Sequence, residues 1–179
     1  MPIQEGNVSQ SIADLEVRDL MTRKAVSVRA YDSLSLAAQL MWDNDCGVLP
    51  VLDNEGRRVL GVVTDRDICM AAWSRNVPLS ELAANEAMSR DLVACSADDT
   101  IQTAENTMRT RQVRRLPVLD SASNLIGILS VTDIARAASQ KSFARAGYEI
   151  SPKQVIDTLS RISDGPLKSN HDGANVREW

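Results

Sequence analysis

The chain is poor in several kinds of residue at once. Aromatics make up 3% of its 179 residues, so its core must be aliphatic, built from Val, Leu, Ile, Ala and Met. Histidine occurs once, as His171 in a polar tail. The three cysteines, Cys46, Cys69 and Cys95, form no CxxC pair. A zinc site asks for four such ligands, so metal binding through Cys and His is rejected, and the thiols are expected to be reduced and mostly buried. There is no basic excess: net charge is −4. Nucleic acid and anionic membrane surfaces are therefore not expected as main partners. No stretch approaches the ~18 apolar residues of a membrane span, and MPIQEGNVSQS has no basic segment leading into an apolar run. A cytoplasmic protein is the expectation.

What is present is a tandem repeat. VRDLMTR around Met21 recurs as NEAMSRD around Met88, AVSV (25–28) as LVAC (92–95), DSLSLAAQLM (32–41) as DTIQTAENTM (99–108), and VLPVLD (48–53) as RLPVLD (115–120). All four are offset by 67 residues. GVVTDRD (61–67) recurs as GILSVTD (127–133), offset by 66, because the turn before it is one residue shorter. The expected organisation is a disordered tail over 1–11, repeat 1 over 12–76, repeat 2 over 77–141, and a short helix with a disordered tail over 142–179.

Each unit reads as β-α-β-β-α after a leading turn. Leu34, Ala37, Ala38 and Met41 fall at helical spacing, and Ile101, Ala104 and Met108 repeat that stripe. Asp32 or Ser33, and Asp99 or Thr100, are the candidate N-caps. Pro50 and Pro117 lie within strand patterns, so those strands should be edges or bulged. A unit of about 55 residues covers its own sheet poorly, so the pair is the expected folding unit, sheet packed on sheet around one core. In SPKQVIDTLSRI (151–162), Pro follows a Ser cap, and Val155, Ile156, Leu159 and Ile162 form an apolar stripe for docking.

The repeated corner has two readings. A hydroxyl followed three residues later by an acid caps a helix: Thr64 with Asp67, Ser130 with Asp133. The same geometry offers phosphate the free N–H groups of a helix N-terminus and ribose an acid one turn on. Gly61 and Gly127 either admit a ligand ring or mark bends.

The ordered set DLMT, LPVLD twice, GVVTDRDI and GILSVTDI resembles the cystathionine-β-synthase-type (CBS) domain pair, the Bateman module, over about 120 residues. The resemblance implies an α+β (α/β-like) fold of two packed repeats with pseudo-two-fold symmetry. It also implies an adenine nucleotide (AMP, ADP or ATP) or a related NAD-type dinucleotide or S-adenosylmethionine as regulatory ligand. Thr64 and Ser130 would contact phosphate, and Asp67 and Asp133 ribose. An apolar adenine slot would come from Val26, Val28 and Val48 in one repeat and Val93, Cys95 and Val113 in the other. Such modules commonly dimerise into a disc.

RQVRRLP places Arg111, Arg114 and Arg115 before Pro117, whereas the matching NDCGVLP has no base. Guanidinium suits bidentate phosphate contact, so two unequal sites are expected, with Arg114 and Arg115 holding phosphate. Arg66 and Lys24 are further candidates. No GxSxG, HExxH, P-loop or Cys–His pair is present, so no enzyme is expected. The leading expectation is a homodimeric sensor that reports nucleotide occupancy to an effector protein. The alternative is a protein-interaction adaptor with vestigial nucleotide sites.

Overall fold

A computed structural model describes residues 15–139 and 152–163. The expected tails over 1–11 and beyond 163 lie outside the described residues. The order begins α1 (Val17–Leu20), β1 (Thr22–Arg23), β2 (Val28–Arg29), α2 (Leu34–Asp43), β3 (Val48–Leu52), β4 (Val59–Thr64) and α3 (Asp65–Arg75). A 3₁₀ turn (Leu79–Glu81) leads to α4 (Ala84–Ala87), β5 (Cys95–Ser96), α5 (Ile101–Arg111), β6 (Arg115–Leu119), β7 (Leu125–Ser130) and α6 (Val131–Ser139). Another helix, named α7 here, spans Pro152–Ser163. This is the α+β tandem architecture that the repeats imply.

The helix stripes become the two cores. Leu34, Ala37 and Met41 are buried in one cluster, and Ile101, Ala104 and Met108 in the other. The caps settle the choices left open by sequence: Ser33 accepts from Leu36 N at 3.2 Å and Thr100 from Thr103 N at 3.2 Å. Asp32 and Asp99 brace the preceding turns, accepting from Arg29 N and Ser96 N.

One sheet has the order β2-β3-β4 and the other β1-β7-β6-β5. The proline-bearing strands β3 and β6 are therefore central, not edges. Each shows a register shift just after its proline, between Val51 and Leu52 and between Val118 and Leu119. The parallel neighbours β2 and β5 join only from Val51 and Val118 onward. The missing N–H of Pro50 or Pro117 thus falls where the ladder on that side has not begun.

Instead of one shared core there are two, and the repeats exchange their leading segments to complete them. Leu15 and Val17 are buried in the repeat-2 core, and Leu82 and Ala84 in the repeat-1 core. β1 runs antiparallel to β7, and Ser89 bridges Val62 in the matching place. This crossing explains both corner glycines. A Cβ on Gly61 would lie 2.2 Å from Ser89 O, and one on Gly127 2.8 Å from Met21 Sδ and 2.9 Å from Thr22 O. Their bare Cα atoms admit the other repeat's backbone.

α7 packs on α5 and α6. Val155, Thr158 and Ile162 are buried there, whereas Ile156 and Leu159, expected in the docking stripe, are exposed. Glu105 makes the difference. It is 1% exposed on α5 and receives hydrogen bonds from Gln154 Nε2 and, at 3.3 Å, Thr158 Oγ1. A buried carboxylate demands such partners. Burial raises its pKa, and the bonds from Gln154 and Thr158 and the nearby Arg109 only partly offset this.

Candidate functional site

Both corners form the reciprocal cap. Thr64 Oγ1 donates to Asp67 Oδ2 at 2.7 Å, Thr64 N donates to the same oxygen at 2.9 Å, and Asp67 N donates to Thr64 Oγ1 at 3.2 Å. Ser130 and Asp133 repeat this at 2.6, 2.9 and 3.2 Å. Two further N–H groups at the start of α3 are also engaged. Asp65 N donates to Gly47 O at 3.2 Å and Arg66 N to Asp65 Oδ1 at 2.7 Å. The expectation of free N–H groups waiting for phosphate is therefore corrected at this corner: each has a protein acceptor.

A cavity of about 550 Å³ lies between the repeats, within the ~300–1,000 Å³ of small-molecule sites. Pro50 and Val62 of one sheet and Pro117 and Ile128 of the other line it, so it sits where the two sheets face each other. Thr64 and Asp67 reach it from repeat 1, and Val93, Val113, Arg114 and Arg115 from repeat 2. Val48 lines it where β3 begins. Val62 and Thr64 share one face of β4 because side chains alternate along a strand.

The other sequence candidates lie elsewhere. Ser130 and Asp133 cap α6 outside this cleft, and Asp133 Oδ1 accepts from Arg136 at 3.3 Å. Val26 packs against the repeat-1 core, Val28 is buried within it, and Cys95 is buried in the repeat-2 core. Burial pushes the Cys95 thiol up to about 12, so it stays protonated at neutral pH. Burial also raises the Cys46 thiol, a shift that a backbone hydrogen bond from Val48 and, less strongly, nearby Arg115 partly offset.

The cleft's charges are mixed. Arg66, Arg114 and Arg115 line it with Asp65, Asp67 and Asp91. Asp91 pairs with Arg111 at 2.6 Å. Among the described residues, neither Arg114 nor Arg115 has an ion-pair partner. Asp65 and Asp91 were not singled out as lining residues by sequence. Asp65 reads locally as a helix-start acid, and Asp91 enters only because the leading segments cross over. A Cβ on Gly47 would lie 2.9 Å from Asp65 Oδ2, so the absence of a side chain there makes room for that carboxylate.

The CBS domain family model matches residues 17–74 and 82–140. The chain belongs to the CBS domain family. It is 34% identical over 119 residues to Hypoxic response protein 1 of Mycobacterium tuberculosis, an alignment covering 66% of this chain and 82% of that one. The crystal structure of that protein, which holds two coordinated zinc ions, superimposes with a TM-score of 0.62 at 33% identity, over 68% of this chain and 97% of that chain. Among the described residues here, no group of three or more His, Cys, Asp or Glu could hold a metal ion. CBSX2, solved in complex with AMP, matches with a TM-score of 0.63 at 26% identity, over 72% of this chain and 98% of that chain. Homoserine O-acetyltransferase of Methanococcoides burtonii is 34% identical over 120 residues, but these span 67% of this chain and only 23% of the enzyme. The likeness is to a segment of that enzyme, and its activity does not transfer.

Proposed function

We propose that this CBS pair is a regulatory adenine-nucleotide sensor without catalytic activity, with its principal site in the cleft between the repeats. The observation that carries this reading is the juxtaposition of Thr64 and Asp67 from repeat 1 with Arg114 and Arg115 from repeat 2. Adenine lies against Val48, Val93 and Val113, the ribose hydroxyls donate to Asp67, and the arginines meet the phosphates. Thr64 turns its hydroxyl from Asp67 to phosphate when ligand enters. The AMP complex of CBSX2 supports an adenosyl ligand of this size. Ser130 and Asp133 form the weaker second site, because Gly47 and Val48 stand where repeat 2 has Arg114 and Arg115. The two repeats, taken as 12–76 and 77–141, act as one binding unit. The chain works as a homodimer and reports occupancy to an effector protein.

The test is thermal denaturation with AMP, ADP, ATP, NAD and S-adenosylmethionine in turn. A ligand at 100 times its dissociation constant adds about 2.7 kcal/mol, a shift of several degrees for a chain of this size. The expected result is a shift with at least one nucleotide, lost in Asp67→Ala. No shift with any of the five sinks the sensor reading. It would favour the adaptor alternative, which draws support from the closed caps at both corners.

A further inference from the structure

An ion pair fastens one wall of the cleft. Asp91 lines the cleft from the leading segment of repeat 2, just after Ser89 bridges Val62 of β4. Its Oδ2 accepts from Arg111 Nη2 at 2.6 Å. Arg111 ends α5, and Gln112 after it, in the left-handed conformation, turns the chain into Val113, Arg114 and Arg115, which line the cleft. The Arg111 guanidinium therefore stands at the rim, held by a lining carboxylate. Among the described residues, Asp91 is the one acid within ion-pair distance of it.

The fold alone does not call for this pair. The matching residues of repeat 1 are Lys24 and Asn44. Asn44 Nδ2 donates back to its own helix, to Leu40 O at 2.8 Å, and the leading segment of repeat 1 still crosses to β7. A base in the last turn of α5 suits the helix dipole, but that does not account for an acid lining an anion site. The Asp91 and Arg111 side chains are 78% and 45% exposed, and an exposed pair is held weakly. Phosphate is the stronger partner, because guanidinium meets it bidentately. The lining carries Arg66, Arg114 and Arg115 against Asp65, Asp67 and Asp91, so its charges balance as they stand. A triphosphate brings more negative charge than a monophosphate, and Arg111 is a cation already tied to this lining.

We propose that Arg111 is a phosphate-binding arginine kept in reserve by Asp91, so that the cleft sorts adenine nucleotides by phosphate number. This deepens the sensor reading above and rests on it. With AMP the pair stays closed. With ATP, Arg111 leaves Asp91 for the outer phosphates, and Asp91 turns to solvent. Asp91 is then the specificity-determining residue: a ligand must out-compete its carboxylate before it gains Arg111 beside Arg114 and Arg115. Breaking the pair also unties the leading segment from α5. The two nucleotides therefore favour different forms of this wall, as a shift between states requires.

Isothermal titration with AMP and with ATP, without divalent cations, reads the ATP-to-AMP affinity ratio in the wild type, Asp91→Asn, Arg111→Gln and the double variant. Asp91→Asn should raise the ratio about threefold, since breaking an exposed pair no longer opposes ATP. Arg111→Gln should lower it about tenfold, the scale of one charge-assisted hydrogen bond. The double variant separates capture from screening. If Arg111 only neutralised Asp91, the ratio of Asp91→Asn would be the same with or without Arg111. Capture predicts a double variant about tenfold below Asp91→Asn. Both side chains are exposed and repeat 1 folds without the pair, so circular dichroism should stay unchanged. A wild type that binds neither nucleotide overturns the sensor reading together with this proposal. Nucleotide binding with a ratio that the variants leave unmoved, or that the double variant shares with Asp91→Asn, overturns the reserve arginine alone.

Discussion

Gly61 lies directly beneath the backbone of Ser89: a Cβ at this glycine would stand 2.2 Å from the Ser89 carbonyl oxygen. Val62 and Ser89 exchange two backbone hydrogen bonds, of 3.1 and 2.8 Å, across this contact. The glycine that opens the repeated corner therefore fastens the other repeat's leading segment to the sheet.

Gly61→Ala should accordingly destabilise the chain by about 2 kcal/mol or more, since overpacking costs ~1–3 kcal/mol and the obstacle is backbone. Gly127→Ala should cost less. Its nearest neighbour is the flexible Met21 Sδ at 2.8 Å, although Thr22 O follows at 2.9 Å. Urea unfolding of the two variants ranks them. Midpoints equal to the wild type's in both variants would contradict the crossing as the reason for the glycines.

The two caps have matching geometry, so Asp67→Ala and Asp133→Ala should cost similar stability, on the order of 1 kcal/mol each. Ligand response should separate them. Only Asp67 lines the cleft with Arg114 and Arg115, so only Asp67→Ala should abolish the nucleotide-induced rise in melting temperature. Loss in both variants would mean that two sites act together.

Much of this was legible in the sequence, and the illegible remainder has physical causes. The 3.6-residue period identified Leu34, Ala37, Met41, Ile101, Ala104 and Met108 as core because it reports which side of a helix is apolar. It cannot report which apolar surface that side meets. Hence the exchange of Val17 into the repeat-2 core and Ala84 into the repeat-1 core was invisible. Nor does the period report that Arg114 and Arg115 line one cleft with Thr64 and Asp67, while their backbone adjoins the Ser130 corner through the Arg115–Ser130 pair and the Val131 N to Arg114 O bond of 3.0 Å. In α7 the stripe misled because hydrophobicity alone ignores Glu105. The buried carboxylate draws Thr158 inward, and Leu159 is left outside.

Arg114 and Arg115 should discriminate by phosphate charge. Hydrogen bonds to charged groups contribute ~1.5–3 kcal/mol each, so removing both side chains should weaken ATP binding by well over tenfold and AMP binding by less. Raising the salt concentration should weaken ATP binding to the wild type more than to the double variant, because screening acts on the lost charges. Isothermal titration of AMP and ATP at two ionic strengths reads both effects. Equal losses for the two nucleotides would place the arginines away from the phosphates.

Glu105 makes the seat of α7 dependent on pH. Its carboxyl is raised above the ordinary value of 4.5, chiefly because burial disfavours the charged form. The folded state therefore holds its proton to higher pH than the unfolded chain does. That contribution to stability is fully present below about pH 4.5 and is lost as pH rises through the folded-state value. Gln154, Thr158 and Arg109 face the carboxyl, and among them only Arg109 carries charge. Asp53 and Asp120, half-buried acids whose pKa values are lowered chiefly by hydrogen bonds from Arg57 N and from Asn124, work in the opposite direction on acidification. The comparison must therefore be the wild type minus Glu105→Gln at each pH. That difference should grow in favour of the glutamine variant from pH 5 to 8, with α7 more protected from hydrogen exchange. A difference that does not change with pH would show that Glu105 keeps one protonation state throughout and that the seat of α7 is not pH-dependent.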